Sequence, residues 1–312
     1  MTNKLVSIAM TTYNGEKYIV EQLESILDQT YSNLEIIICD DISNDKTVDI
    51  IKQYQKKDSR IKIYINKENL GFKKNFEKAI SLCSGEFIAL SDQDDIWKKY
   101  KIEKLVENIK ECDLIHSAAS LIDENSNIIA IKWLKQDNFK YSFEKLVFGN
   151  TITGCTVLFK KSLLKDFFSI PSGEKYHDWW LALLASKANG IKYIDEPLIY
   201  YRQHLLQDTG AKIETKFQKF LRVVIDMFHK KNSDRYQKSK QQIIRLNSFL
   251  SEKKKVFTEK ETSIMQDAIL YHNDYLNNFL HLKTFNIGIK YRNEIYFNNK
   301  FFLKNIVRDL IG

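Results

Sequence analysis

A mostly parallel α/β sheet with helices on both faces is the architecture this sequence predicts for its first two thirds, and three observations carry the prediction. Short apolar runs alternate with helix-spaced segments from residue 5 to residue 105. The runs are apolar at successive positions, as strands buried on both faces require, rather than alternating as in a half-solvated sheet. They also end in Asp, Asn or Thr, at the strand ends where open α/β sheets bind their ligands.

Taken in order, Leu5 to Met10 is the first strand, running into Thr11-Thr12-Tyr13-Asn14-Gly15. Residues 16–29 place Tyr18, Ile19, Leu23, Ile26 and Leu27 at helical spacing. Leu34 to Cys39 is a second strand, stopping at Asp40-Asp41; Asn44 or Asp45 caps the helix that carries Val48, Ile51 and Tyr54. A third strand covers 61–65, and a helix follows Gly71 with Phe72, Phe76, Ala79 and Ile80 on one face. Phe87 to Leu90 is the fourth strand. A helix carrying Trp97 to Leu105 comes next, with Asp95 as one candidate cap. Beyond residue 125 the rhythm loosens: Ile152 to Phe159 and Lys192 to Tyr201 read as strands, flanking an apolar helix that Gly190 stops. From about residue 211, long amphipathic helices are predicted, with aromatic residues dense between Tyr271 and Phe302.

Composition bounds the function classes. At 44% hydrophobic and 28% charged residues the chain is ordinary for a globular protein, and two prolines with ten glycines exclude collagen-like or linker-rich readings. Cys39, Cys83, Cys112 and Cys155 form no C-x-x-C pair and read as reduced thiols in a cytosolic protein. Residues 1–30 carry no signal-peptide pattern, and no window approaches ~18 consecutive apolar residues, so no membrane span is expected. The net charge of +8 is uneven: 28 basic residues face 30 acidic ones over 1–210, against 20 and 10 over 211–312. Two units with these boundaries are expected.

The stretch SDQDDIW follows the fourth strand and puts three carboxylates within four positions. Spacing D-x-D turns Asp92 and Asp94 to the same side of an extended chain. Carboxylates that close repel unless a cation lies between them, and Mg²⁺ or Mn²⁺ does this with a few carboxylate oxygens plus phosphate oxygens of a ligand. The competing reading is a solvated acidic turn. A phosphatase with an Asp nucleophile would carry such a motif on its first strand, and an EF-hand loop would need a Gly and a Glu that are missing here.

VSIAMTTYNGEKYIVEQLESILDQTYSNLEIIICDDISNDKT and NLGFKKNFEKAISLCSGEFIALSDQDDIW together resemble the family 2 glycosyltransferases, inverting metal-dependent enzymes of GT-A fold, a Rossmann-like nucleotide-diphospho-sugar transferase architecture. Gln93, with ITGCTVLF, HDWW and YYRQH, looks most like the bacterial rhamnosyltransferase-like branch. The resemblance spans about residues 4–206. It implies that Thr12, Tyr13 and Asp41 form the nucleotide-base pocket, and that Asn69, Lys74, Asp92 and Gln93 approach the nucleotide sugar. It further implies that Asp94 and His204 serve the metal, Asp178 is the catalytic base, and Gly154, His177 and Trp179 line the acceptor or sugar pocket. Helix capping is the structural alternative for Asp41 and Asp178. After His204 this chain has Leu205-Leu206-Gln207-Asp208 where relatives carry a Gly-Asn-rich loop.

The implied reaction takes a sugar from dTDP-rhamnose or a UDP-hexose to a saccharide acceptor, expected to be lipid-linked, in bacterial cell-surface polysaccharide synthesis. The implied setting is cytoplasmic. There the basic C-terminal region would rest on anionic lipid at the inner membrane face, at ~1 kcal/mol per Lys or Arg near the surface, or join two copies in a homodimer. Nucleic acid is not an expected partner. The non-enzyme alternative is a nucleotide-binding scaffold subunit of a polysaccharide complex; retention of Asp92, Asp94 and Asp178 together argues against it.

Overall fold

A computed structural model describes residues 4–133, 141–204, 234–277, 286–287 and 289–291. Contacts divide the chain into two compact units, one of Met1–Tyr141, Thr151–Ile170 and Tyr176–Gly210, the other of Ser142–Asn150, Pro171–Lys175 and Ala211–Gly312.

The first unit opens with the alternation read from the sequence: β1 (Val6–Thr12), α1 (Ile19–Leu27), β2 (Leu34–Asp40), α2 (Thr47–Lys57), β3 (Ile61–Ile65), α3 (Gly71–Ser81) and β4 (Phe87–Ser91). The N-cap of α2 is Lys46 rather than Asn44 or Asp45; Asp45, one residue before it, accepts from Thr47 N at 3.0 Å. β5 (Ile96–Trp97), α4 (Lys101–Ile109), β6 (Leu114–Ile122) and β7 (Ile128–Trp133) follow, then β8 (Val157–Lys160), α6 (Leu164–Phe167), α7 (His177–Lys187) and β9 (Ile191–Arg202). α5 (Phe143–Phe148) belongs to the second unit.

The sheet runs β3-β2-β1-β4-β8-β6-β9-β5, with β7 paired to β6. β3, β2, β1 and β4 are mutually parallel. β8 is antiparallel to both β4 and β6, β9 is parallel to β6, and β5 is antiparallel to β9. Ile8 and Met10 of β1, Ile36 and Ile38 of β2, and Ile88 and Leu90 of β4 are fully buried, because central parallel strands lose both faces to packing. β3, at the sheet edge, keeps exposed positions. α3 packs on β1 and β2, and α4 on β6 and β8.

Three sequence expectations are corrected here. Trp97 lies in β5, paired with Ile199, and the helix begins only at Lys101; Asp95 therefore caps nothing. Of Ile152 to Phe159 only Val157 onward is strand, because Gly154–Thr156 forms a 3₁₀ turn. β6 and β7, missed in the sequence, complete the sheet. Gly190, at φ +88, terminates the α7 region as expected, its N–H donating to Ala185 O.

In the second unit α8 (Asp234–Glu252) and α9 (Glu259–Asn277) pack together, and α9 contacts α5. Arg245 is buried and pairs with Glu174 at 2.7 Å. The segment Leu205 to Asp208 and most of the aromatic stretch 271–302 lie outside the described residues. Among the described residues no helix is long and apolar enough to cross a membrane. Cys39, Cys83 and Cys155 are buried free thiols, and Cys112 is half-buried.

Candidate functional site

Every residue singled out for chemistry lies in the first unit, at the carboxyl ends of its strands or on segments that reach them. At the end of β1, Thr12 Oγ1 donates to Asp40 Oδ2 at 2.7 Å and its carbonyl accepts from Asp41 N. Tyr13 is exposed, but its backbone is clamped: its N–H donates to Gln93 Oε1 at 2.8 Å, and Gln93 Nε2 donates back to its carbonyl at 3.0 Å. Gln93 thus ties the end of β1 to the segment after β4. Gly15 makes room for this clamp, since a Cβ there would fall 2.3 Å from Gln93 Oε1.

Asp41 is buried, and its carboxylate accepts from Asn66 Nδ2, Leu70 N and Gly71 N at 2.7 to 2.8 Å. The last two N–H groups open α3, so Asp41 caps a helix remote in sequence from the one it precedes. A carboxylate has about four acceptor positions; three are filled, which leaves one for a ligand N–H. Asn69 is exposed and bridges the same corner, donating to Asp41 O and accepting from Gly71 N. Lys74 lies on the exposed face of α3 and has no ion pair or hydrogen bond among the described residues. Lys78, one turn on, donates to Asn66 Oδ1.

The acidic segment separates into three roles. Asp94 Oδ2 lies 2.7 Å from His204 Nε2, so the two expected metal groups meet, 110 positions apart in the chain. Tyr18 packs beside His204, with ring centroids 5.1 Å apart. Asp95, fully buried, accepts from Arg202 N at 3.0 Å; burial, then the charges of Asp94 and Asp92, push its carboxyl well above the usual range. Asp92 is half-buried, and burial followed by the charges of Asp94 and Asp178 raises it to about 7.

Asp178 sits in the first turn of α7, whose N-cap is Tyr176, so it does not cap the helix. Its Oδ2 accepts from Gly154 N at 2.9 Å. The positive end of the helix favours the ionised carboxylate. His177 stacks on Phe76 at 3.9 Å between centroids, and burial lowers it to about 3, which keeps the imidazole neutral. A Cβ at Gly154 would stand 3.2 Å from His177 Nε2 and 3.6 Å from Asp178 Oδ2, so glycine permits this approach. Trp180 is core, donating Nε1–H to Phe167 O, whereas Trp179 is half-buried and is the one available to line a pocket.

Two functional-looking residues escaped the sequence reading. Arg202, 1% exposed, donates through Nε to Asp94 O and through one guanidinium nitrogen to Glu21. Lys101, 0% exposed, donates to Cys155 O. Neither was singled out in the sequence; the position of Arg202 beside Gln203-His204 was the available signal.

Known glycosyltransferases resemble this chain over about two thirds of its length. The chain is 36% identical over 225 residues to the dTDP-rhamnosyl transferase RfbG of Shigella flexneri, covering 66% of this chain and 75% of that one. It is 34% identical over 210 residues to the UDP-Glc:α-D-GlcNAc-diphosphoundecaprenol β-1,3-glucosyltransferase WfgD of Escherichia coli, covering 67% and 80%. The crystal structure of S. aureus TarS 1–349 in complex with UDP-GlcNAc superposes with a TM-score of 0.57 at 20% identity, over 98% of this chain and 92% of that one, and shows the GT-A-like fold. The profile described as "Glycosyl transferase family 2" matches residues 7–168, and on that match this chain belongs to glycosyl transferase family 2.

Proposed function

We propose that this glycosyltransferase moves a sugar, with inversion, from a nucleoside-diphosphate sugar to a saccharide acceptor in the synthesis of a bacterial cell-surface polysaccharide. The observation that carries the reading is geometric: Asp94 Oδ2 and His204 Nε2 converge to 2.7 Å beyond β4, and the same unit holds Asp178 by Gly154 N–H at the start of α7. In this reading Asp178 takes the proton of the acceptor hydroxyl. The hydroxyl oxygen then bonds to the anomeric carbon, and the bond from that carbon to the diphosphate oxygen breaks, its electron pair leaving with the nucleoside diphosphate. A positioned carboxylate base of this kind contributes about 10²–10⁴-fold. Thr12, Tyr13, Asp41 and Asn69 take the nucleotide, Gln93 acting through the Tyr13 backbone, and Lys74 faces the diphosphate. Gly154, neutral His177 and Trp179 border the sugars.

Asp94 and His204 would hold a divalent ion. A carboxylate oxygen and an imidazole nitrogen already converge to 2.7 Å, a donor pair that suits Mn²⁺ or Mg²⁺ completed by phosphate oxygens. When bound, such an ion neutralises charge on the departing diphosphate.

The names of the relatives support two donors, dTDP-rhamnose and a UDP-hexose, and the glucosyltransferase from E. coli supports a lipid-diphosphate-linked acceptor. Such an acceptor would bring the protein to the inner face of the cytoplasmic membrane, with the basic C-terminal region as the contact; association of two copies through that region is the competing arrangement.

The test is calorimetric titration with dTDP, UDP and GDP, each with and without Mn²⁺, on wild type, Asp94→Ala and Asp178→Asn. Binding of one nucleotide that is lost on chelation and in Asp94→Ala, but kept in Asp178→Asn, is expected; dTDP points to rhamnose and UDP to a hexose. Metal-independent or absent nucleotide binding would refute the reading in favour of a scaffold subunit.

A further inference from the structure

Lys101 is the one fully buried lysine among the described residues, and nothing in the transfer reaction above uses it. It opens α4, where a lysine is ordinarily solvated. Here its Nζ instead donates to Cys155 O at 2.6 Å and sits 3.4 Å above the Trp97 ring. Burying an ammonium costs several kcal/mol unless opposite charge and hydrogen bonds repay it. Here the Cys155 carbonyl accepts the hydrogen bond, and the indole face of Trp97 adds a cation–π contact.

The position of Cys155 gives this arrangement its consequence. It lies in the 3₁₀ turn Gly154–Thr156, whose first residue holds Asp178 through its N–H. A continuous chain of contacts therefore runs from the Lys101 ammonium to the Cys155 carbonyl, through the turn to Gly154 N, and on to Asp178 Oδ2. We propose that Lys101 is a positioning residue of the transfer site: its Nζ bond to Cys155 O anchors the Gly154–Thr156 turn and, through it, sets Asp178. The inference rests on the role given to Asp178 above.

The turn reports on itself, because the chain has only ten glycines. ¹⁵N-glycine labelling of the full-length, metal-free protein gives a spectrum in which the Gly154 amide is identified by its loss in Gly154→Ala. Asp178→Ala removes the acceptor and sets the reference displacement of that resonance. Lys101→Met, which keeps length without charge, and Lys101→Gln, which keeps a donor without charge, are then compared. The expected result is that Lys101→Met moves the Gly154 resonance by at least half the reference displacement, Lys101→Gln by less, and Gly71, Gly85 and Gly190 stay in place. A Gly154 resonance unmoved in both Lys101 variants, yet displaced in Asp178→Ala, overturns the positioning role and leaves the proposed function standing. Failure of both Lys101 variants to fold also overturns it, in favour of a lysine that serves stability alone. A resonance unmoved even in Asp178→Ala removes the Gly154–Asp178 pairing, and both readings fall with it.

Discussion

Replacing Glu35 by Gln tests the electrostatic reasoning at the end of the sheet opposite the candidate site. Glu35 is 6% exposed and gathers four segments: Oε1 accepts from Ser7 Oγ, from Ser84 N and Oγ at 2.6 and 2.7 Å, and from Gly85 N, while Oε2 faces Lys62 Nζ at 3.1 Å. Burial alone would raise its carboxyl, but the bonds from Ser7 and Ser84, with Lys62, outweigh burial and hold it at about 2, from an ordinary 4.5. At ~1.4 kcal/mol per pKa unit that shift corresponds to roughly 3 kcal/mol. The Lys62 side chain is 51% exposed, so solvent screening trims the expected contribution to about 2 kcal/mol. A carboxyl whose folded pKa is depressed stabilises above its unfolded pKa, and that contribution is lost as pH falls from about 4.5 towards 2. Urea unfolding of wild type and Glu35→Gln at neutral pH should therefore differ by about 2 kcal/mol, or roughly 0.7–1 M in midpoint at an m of ~2–3 kcal/mol/M. The gap should close as pH is lowered through that window. His116 and His177, kept neutral by burial, lose stability in acid in both proteins, so the difference isolates Glu35. A gap that is below about 0.5 kcal/mol at neutral pH, or that stays constant down to the acid limit, would refute the argument.

Other outcomes follow from the site. Asp41→Ala strips the acceptor from Leu70 N, Gly71 N and Asn66, and should cost about 2–4 kcal/mol in urea unfolding as well as weakening nucleotide binding, because buried donors are left unpaired. Gln93→Ala releases the Tyr13 backbone, so nucleotide affinity measured by calorimetry should fall while the unfolding midpoint changes little. Trp180→Ala should cost about 3–5 kcal/mol and Trp179→Ala about 1 or less, since only the first is fully buried core. Gly154→Ala should retain nucleotide binding and slow transfer, because its Cβ presses on His177 and Asp178 rather than on β1 or α3. A variant with unchanged turnover would place the acceptor elsewhere.

The first four strands and three helices, and the polar ends of β1, β2 and β4, were legible because local pattern decides them. β1, β2 and β4 are mostly apolar and buried at all but one position, and one-residue errors at their ends do not change which residues project beyond them. Trp97 was misread because an apolar residue before a helical pattern joins the helix by periodicity; its partner Ile199 lies about a hundred residues away and no local signal announces it. β6 and β7 were missed for a related reason. β6 is buried at all nine positions through pairing with β7, β8 and β9, and those contacts arise only in the assembled sheet.

In the same way, the resemblance of SDQDDIW, ITGCT, HDWW and YYRQH to family motifs nominated Asp94, Gly154, Asp178 and His204, because a short motif is visible in sequence. Which of them meet was decided by the tertiary structure, since Asp94–His204 and Gly154–Asp178 join residues 110 and 24 positions apart. The fold alone also buried Lys101 and Arg202, two charges that no local pattern singles out, against Cys155 O and Asp94 O. A charge is buried only where opposite charge and hydrogen bonds arrive from distant segments, and that convergence does not exist until the chain has folded.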